Sequence, residues 1–321
     1  MKPGAGLYYF GVLLTLGTAW GFQFSMLKVT SNAGYSEIGV LFISLVGLTL
    51  LYGSCLLYRK QLFRPRAGHL VYFTIGSLLG YVFPVLAVLY AARHLSAGFI
   101  TLIASLTPVI TVCVVLLLKT EIVTPLRIWA IAFGMAASLF VILPEASFDP
   151  DSRFLWVMVM FAAPLCYGID SIYIHRYWPA DLSTLQVIAG EALVACILVM
   201  PLFLLFSDPI AYDPGWPRGQ WAILLLILCG ALEVMLFFYL VNKTGAVLVS
   251  FASIITLFSG IAWGILLFAE THPATTWAAV GLLAIALCLV ARDSVNHDPE
   301  INRVRREPDR PADQSPTTLN G

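Results

Sequence analysis

Long apolar runs separated by short polar stretches dominate the chain. Ten such runs lie at Leu7–Leu27, Ile38–Tyr58, Leu70–Ala92, Gly98–Leu118, Pro125–Leu143, Phe154–Ile174, Leu182–Phe206, Trp221–Val241, Ala246–Phe268 and Ala274–Ala291. A helix that crosses the hydrocarbon core of a bilayer needs about 20 mostly apolar residues, and each run approaches or reaches that length. Lipid offers backbone groups no hydrogen bonds, so each run must satisfy its own, which a helix does. A membrane barrel would alternate apolar and polar residues; these runs do not. The pattern therefore predicts an all-α integral membrane protein of about ten transmembrane helices. The first run follows Lys2 and is too long for the apolar region of a signal peptide, so it is read as the first helix.

The connections are short, apart from Pro144–Arg153 and Ser207–Gln220, both of which contain Pro and Asp. From Arg292 onward the character changes: mixed charge, prolines at Pro299, Pro308, Pro311 and Pro316, and no apolar period. That composition predicts a disordered tail. Composition supports the membrane reading. Of 321 residues, 60% are hydrophobic and 11% charged, against roughly 25% charged in a soluble domain. The formal net charge is zero, which gives nucleic acid no basic face to bind. The six cysteines, Cys55, Cys113, Cys166, Cys196, Cys229 and Cys288, are isolated within apolar stretches. No metal site, cofactor site or disulfide framework is expected from that spacing.

Lys and Arg favour the cytoplasmic side in short loops. With the N-terminus inside, 14 of the 18 Lys and Arg residues fall inside; Lys28, Arg93, Arg153 and Arg218 fall outside. The outside loops collect acid instead: Glu37, Glu145, Asp149, Asp151, Asp208, Asp213 and Glu270. The expected placement is a multi-pass protein of the plasma (inner) membrane with both termini cytoplasmic.

The chain also repeats itself. A shift of 149 residues lays Tyr90–Glu121 over Tyr239–Glu270 without a gap, matching Tyr90 with Tyr239, Ala97 with Ala246, Thr107 with Thr256 and Glu121 with Glu270. A shift of 147 aligns Trp20-Gly21 with Tyr167-Gly168 and Lys28 with His175. Five helices per copy is an odd number, so the second copy is inverted in the membrane. The loop charges invert too: Arg59–Arg66 is basic, whereas its counterpart Ser207–Gln220 is acidic. The expected organisation is one repeat over 1–146, a second over 147–293, and the tail over 294–321. Inverted repeats mark many secondary transporters, with the substrate path between the copies.

Certain residues then carry a resemblance. Ala19-Trp20-Gly21, Leu106-Thr107-Pro108-Val109 and Lys119-Thr120-Glu121, echoed by Tyr167-Gly168 and Phe268-Ala269-Glu270, resemble the EamA-type transporters of the drug/metabolite transporter superfamily. The resemblance spans Leu7 to Ala291. It implies an alternating-access carrier with a central cavity, often an exporter of amino acids or related metabolites. Members often carry an Arg in the second helix of a repeat; this chain has Ser44 and Glu191 in those regions.

Three acids interrupt apolar runs: Asp170, Glu191 and Glu233. A charged side chain at a helix centre costs about 2.5–3.5 kcal/mol on insertion scales. These residues should therefore face a cavity, a partner or a proton. Counting about 1.5 Å per residue puts Glu191 about 14 Å and Glu233 about 12 Å from the cytoplasmic ends of their helices, and Asp170 about 6 Å from its own. A carboxyl taken out of water holds its proton more tightly, the property a proton-coupled site requires. Cation binding is the other functional reading, and a hydrogen bond to a neighbouring helix the structural one. Further candidates for the substrate and proton pathway are Gln23, Thr107, Thr256, Tyr81, Tyr90, Tyr167 and Tyr239; Thr and Tyr more often bond backbone carbonyls or simply pack. Pro84, Pro108, Pro164 and Pro201 interrupt helices as hinges or fixed bends. The pairs Gly17/Gly21, Gly76/Gly80 and Gly260/Gly264 allow close helix packing, within the chain more readily than in a homodimer.

No metalloprotease motif, nucleophile elbow or phosphate loop is present, and no histidine lies deep in a run, so no enzyme activity is expected. The expected function is secondary transport of a small amino-acid-like or related polar metabolite. Export is the expected direction, and protons are the candidate coupling partner. Export of cationic drugs is the alternative, ahead of a membrane enzyme or passive channel.

Overall fold

In the computed structural model, which describes residues 5–117, 124–142, 153–207, 217–250 and 252–297, every regular element is helical. The elements are α1 (Ala5–Asn32), α2 (Glu37–Tyr58), α3 (Ala67–Gly76), a π-helical turn (Ser77–Val82), α4 (Phe83–Ala92), α5 (Ala97–Ala104), α6 (Thr107–Leu117), α7 (Pro125–Ile142), α8 (Arg153–Tyr177), α9 (Thr184–Phe206), α10 (Arg218–Ser250), α11 (Ala252–Phe268) and α12 (Ala274–His297). Seven spans are long and apolar enough to cross a membrane, and three shorter apolar helices lie at Ile128–Ala137, Ala252–Phe268 and Ala274–Val290. Together they match the ten runs in the sequence. The outward-facing residues are large and oily, including Leu50, Met135, Leu204, Leu205, Phe206 and Leu266. In water such a surface would aggregate; in a bilayer it meets acyl chains. Trp129, Trp221 and Trp277 are exposed near helix starts, where interfacial aromatics belong.

The packing repeats with the sequence. In the first copy α1 packs against α10 and α11. Its counterpart α8 packs against α3–α4 and α5–α6. The middle pairings are between counterparts themselves: α2 with α9, α5 with α11, α7 with α12. Two inverted five-helix repeats interlock so that each donates its first helix to the other. Close contacts follow the same rule. A Cβ on Gly21 would strike Gly260 of α11, and one on Gly168, the repeat mate of Gly21, would lie 3.0 Å from Thr111 of α6, the mate of Gly260. The Gly17/Gly21 and Gly260/Gly264 pairs thus serve packing within the chain.

Three features depart from the pattern read in the sequence. Pro84 and Pro108 sit at breaks, but Pro164 and Pro201 lie inside unbroken α8 and α9. At Pro84 the break takes the form of the π turn, whose end is marked by Phe83 N–H reaching back to Leu78 O. Widening the helix there accommodates the proline ring, which would otherwise press on a carbonyl one turn earlier. Second, α10 continues to Ser250, past the turn expected after Val241. Third, α12 runs through Arg292 to His297, beyond the expected start of the tail at 292 to 294, because Asp293 is buried and accepts a hydrogen bond from Thr124 Oγ1 at 2.6 Å. The rest of the tail, the loop segments 143–152 and 208–216, and the Lys119-Thr120-Glu121 motif lie outside the described residues.

The chain alternates between two ends. One gathers the α1–α2, α4–α5 and α11–α12 connections: Glu37 pairs with Arg93, Ser207 Oγ donates to Ser36 Oγ at 3.0 Å, and Glu270 accepts from the Ala97 and Gly98 N–H groups at 2.6 and 2.9 Å. At the other end the α2–α3 and α8–α9 connections meet. Asp181 lies 3.5 Å from Arg66 and 3.2 Å from His69, and Gln186 Nε2 donates to Gln61 O at 2.9 Å.

Candidate functional site

The three interior acids come from three consecutive spans of the second repeat: Asp170 from α8, Glu191 from α9 and Glu233 from α10. Glu191 and Glu233 are each only 7% exposed. The wall facing Glu191 and Asp170 is the third span of the first repeat, where Tyr72, Gly76 and Gly80 follow one another at four-residue spacing. A Cβ on Gly76 would lie 2.5 Å from Glu191 Oε1, and one on Gly80 would lie 3.1 Å from Asp170 Oδ2. The Gly76/Gly80 pair, read from sequence as a helix-packing motif, instead leaves room for two carboxyls. Ser77 Oγ donates to the Glu191 carbonyl at 2.7 Å and ties α9 to the π turn. Asp170 and Glu191 are close enough to sense each other's charge.

Tyr72 completes the strip one turn before Gly76. Its ring stacks on Tyr173 of α8 (centroids 5.2 Å apart, planes at 22°), and Tyr173 in turn contacts Tyr177 at 5.2 Å. Exposure falls along this ladder: Tyr177 is exposed, Tyr173 half-buried and Tyr72 buried. Tyr72 interacts electrostatically with both Glu191 and Asp170.

Glu233 occupies a neighbouring position against the first helix. Gln23 of α1 faces its carboxyl. A Cβ on Gly230, one turn earlier on α10, would lie 3.7 Å from Gln23 Nε2. Gln23 is the repeat mate of Asp170, and each sits beside a glycine of the third span in the opposite repeat. Tyr81 and Tyr167 connect the two positions, Tyr81 interacting with Glu191, Asp170, Glu233 and Tyr52, and Tyr167 with Glu233 and Asp170.

Several polar atoms here have no hydrogen-bond partner among the described residues: Asp170 Oδ1, Glu191 Oε1, Glu233 Oε2, and the hydroxyls of Tyr52 and Tyr72. No described Lys, Arg or His forms an ion pair with any of the three acids. A buried carboxylate without a counter-charge is costly. No group of three or more His, Cys, Asp or Glu able to hold a metal occurs among the described residues.

A family model for EamA-like transporters matches residues 8–143 and again 154–292. The chain belongs to the EamA-like transporter family. It is accordingly a multi-pass membrane transporter of the drug/metabolite transporter type. No curated protein matches the chain. In fold it is similar to a crystal structure titled only as that of a protein, with 17% identity, a TM-score of 0.60, and coverage of 91% of this chain and 100% of that one. For an EamA-like transporter the position of the acids is informative, since Asp170, Glu191, Glu233, Gln23, Tyr81 and Tyr167 all line the repeat junction.

Four other candidates are not brought to that junction. Tyr90 and Tyr239 are exposed, and Tyr239 bonds Tyr8 near the start of α1. Thr107 Oγ1 donates to Ala104 O at 2.7 Å, and Thr256 Oγ1 to Ala252 O at 2.9 Å; both hydroxyls serve the backbone. Conversely, Tyr52, Tyr72, Tyr173 and Ser77 join the cluster unforeseen. Only the four-residue spacing of Tyr72 to Gly76 and Gly80 could have indicated one of them.

Proposed function

We propose that this protein is an alternating-access secondary transporter that moves a small amino-acid-like or related polar metabolite outward across the inner membrane in exchange for protons. The observation that carries this reading is the junction itself: two buried acids, Glu191 and Glu233, and the half-buried Asp170, each with an unfilled acceptor atom and without a paired base among the described residues. Such carboxyls can hold a proton in one state of the cycle and release it in the other. The two ends of the bundle are closed by different contacts, and rocking one repeat against the other would open them in turn. Buried contacts close the Glu37 and Glu270 end, where both side chains are 8% exposed. The Asp181 end is held by an exposed pair, with Arg66 81% exposed and Asp181 51%, worth little in water. The Lys and Arg bias assigns this second end, with both termini, to the cytoplasm.

Counterflow in proteoliposomes tests the carrier. A solute loaded on one side should accelerate entry of the same labelled solute from the other. Flux that never shows this exchange, but only rises linearly with concentration, would mean a channel.

A further inference from the structure

The geometry points to a site for the protonated amino group of a small organic amine, held between Asp170 and Glu191 beside the stacked rings of Tyr72 and Tyr173. This deepens the carrier reading above and rests on it for the claim that the amine is transported.

Asp170 Oδ1 and Glu191 Oε1 are acceptors without donors, and the buried Tyr72 hydroxyl beside them is likewise unpartnered. An ammonium group supplies several N–H donors and the positive charge that lets two neighbouring carboxylates ionise together. The tyrosine rings add a surface for the cation and its apolar part, and Gly76 and Gly80 let both carboxyls pack directly against the third span. No described ion pair brings a base to these two acids, so a carboxylate placed between them meets like charge. The site therefore takes the amino end of the solute, and any carboxylate on that solute lies outside it. The Tyr177–Tyr173–Tyr72 ladder, from exposed to buried, leads to it from the Asp181 end.

Protons and amine compete for the same oxygens. The titratable groups facing the pair are Tyr72 and Tyr81 from the third span, Cys166, Tyr167 and Tyr173 from α8, and Glu233 from α10 by way of the two tyrosines. The thiol and phenols stay neutral through the neutral range, so a fall in pH acts through the carboxyls and weakens amine binding.

The test is titration calorimetry of the full-length protein in lipid nanodiscs with three probes of similar shape: 2-phenylethylammonium, neutral 2-phenylethanol and anionic 3-phenylpropanoate. The expected result is saturable binding of the ammonium alone, weakened by about tenfold between about pH 8 and about pH 6, and weakened by about tenfold or more in Asp170→Asn and Glu191→Gln. The probe and pH series needs no variant, so it decides even if a substitution prevents folding. Equal or tighter binding of the alcohol or the anion would overturn the site, as would ammonium binding unchanged in both folded variants. Counterflow of a neutral or anionic solute by a protein that ignores the ammonium would overturn the site and leave the carrier standing. Ammonium binding as described, without counterflow of that ammonium, would keep the site and remove the carrier.

Discussion

At the scale of single residues, the acids announce themselves because charge inside an apolar run is expensive. Asp170, Glu191 and Glu233 were legible for that reason. Their grouping was not. Depth along each helix placed Glu191 level with Glu233 and Asp170 nearer water, whereas Asp170 and Glu191 share one wall and Glu233 faces Gln23. Depth fixes height in the membrane but not which faces meet. Tyr52 gave no signal, since a tyrosine in an apolar run is ordinarily packing, and Tyr72 gave only its spacing to Gly76 and Gly80. Gly76 gives the sharpest prediction at this scale. Its missing side chain makes room for the Glu191 carboxyl, so Gly76→Ala should cost about 1–3 kcal/mol and lower transport more than Gly80→Ala, whose added carbon meets Asp170 at a tight but less severe 3.1 Å. Thermal unfolding and initial rates of the two variants, compared side by side, give the ranking; the reverse order would contradict it.

Elements are where the sequence pattern succeeded most fully, and its failures there have local causes. The ten apolar runs are helical in the described residues, seven of them long enough to span, because lipid leaves the backbone no alternative to helix. The π turn was invisible, since Pro84 demands some adjustment but composition does not say which. The extension of α12 depended on Asp293 finding Thr124, a partner 169 residues away in sequence. Glu270 illustrates how an element end is held from outside. Its two carboxylate oxygens accept from the first N–H groups of α5, a helix start where negative charge is favourable. Glu270→Gln keeps the shape but loses the charge and one acceptor. A loss of about 1–2 kcal/mol is expected, read as a lower melting temperature in nanodiscs, and faster hydrogen exchange at Ala97 and Gly98 should accompany it. Unchanged exchange there would mean that the contact is incidental.

For the whole molecule, the repeat seen as matching residues reappears as matching contacts. α1 lies on α10 and α11 as α8 lies on α3–α4 and α5–α6, and the glycines that permit the approach are themselves repeat-related. Inversion puts connections of corresponding position at opposite ends. Arg64 lies in the α2–α3 connection, whereas Ser207 bonds Ser36 at the far end. Single cysteines at Arg64 and Ser207 in a cysteine-free protein should therefore react with an impermeant maleimide from opposite faces of sealed vesicles, with Arg64→Cys on the cytoplasmic face; reaction of both from one face would be incompatible with inversion.

The central claim is that carboxyls at the repeat junction exchange protons for solute, and a pH gradient across proteoliposomes addresses it most directly. Imposing the gradient should drive the wild-type protein to accumulate labelled solute on the acidic side, whereas folded Asp170→Asn and Glu191→Gln proteins should lose that response by about tenfold or more. Variants that respond to the gradient as the wild type does, at every pH, would contradict the account.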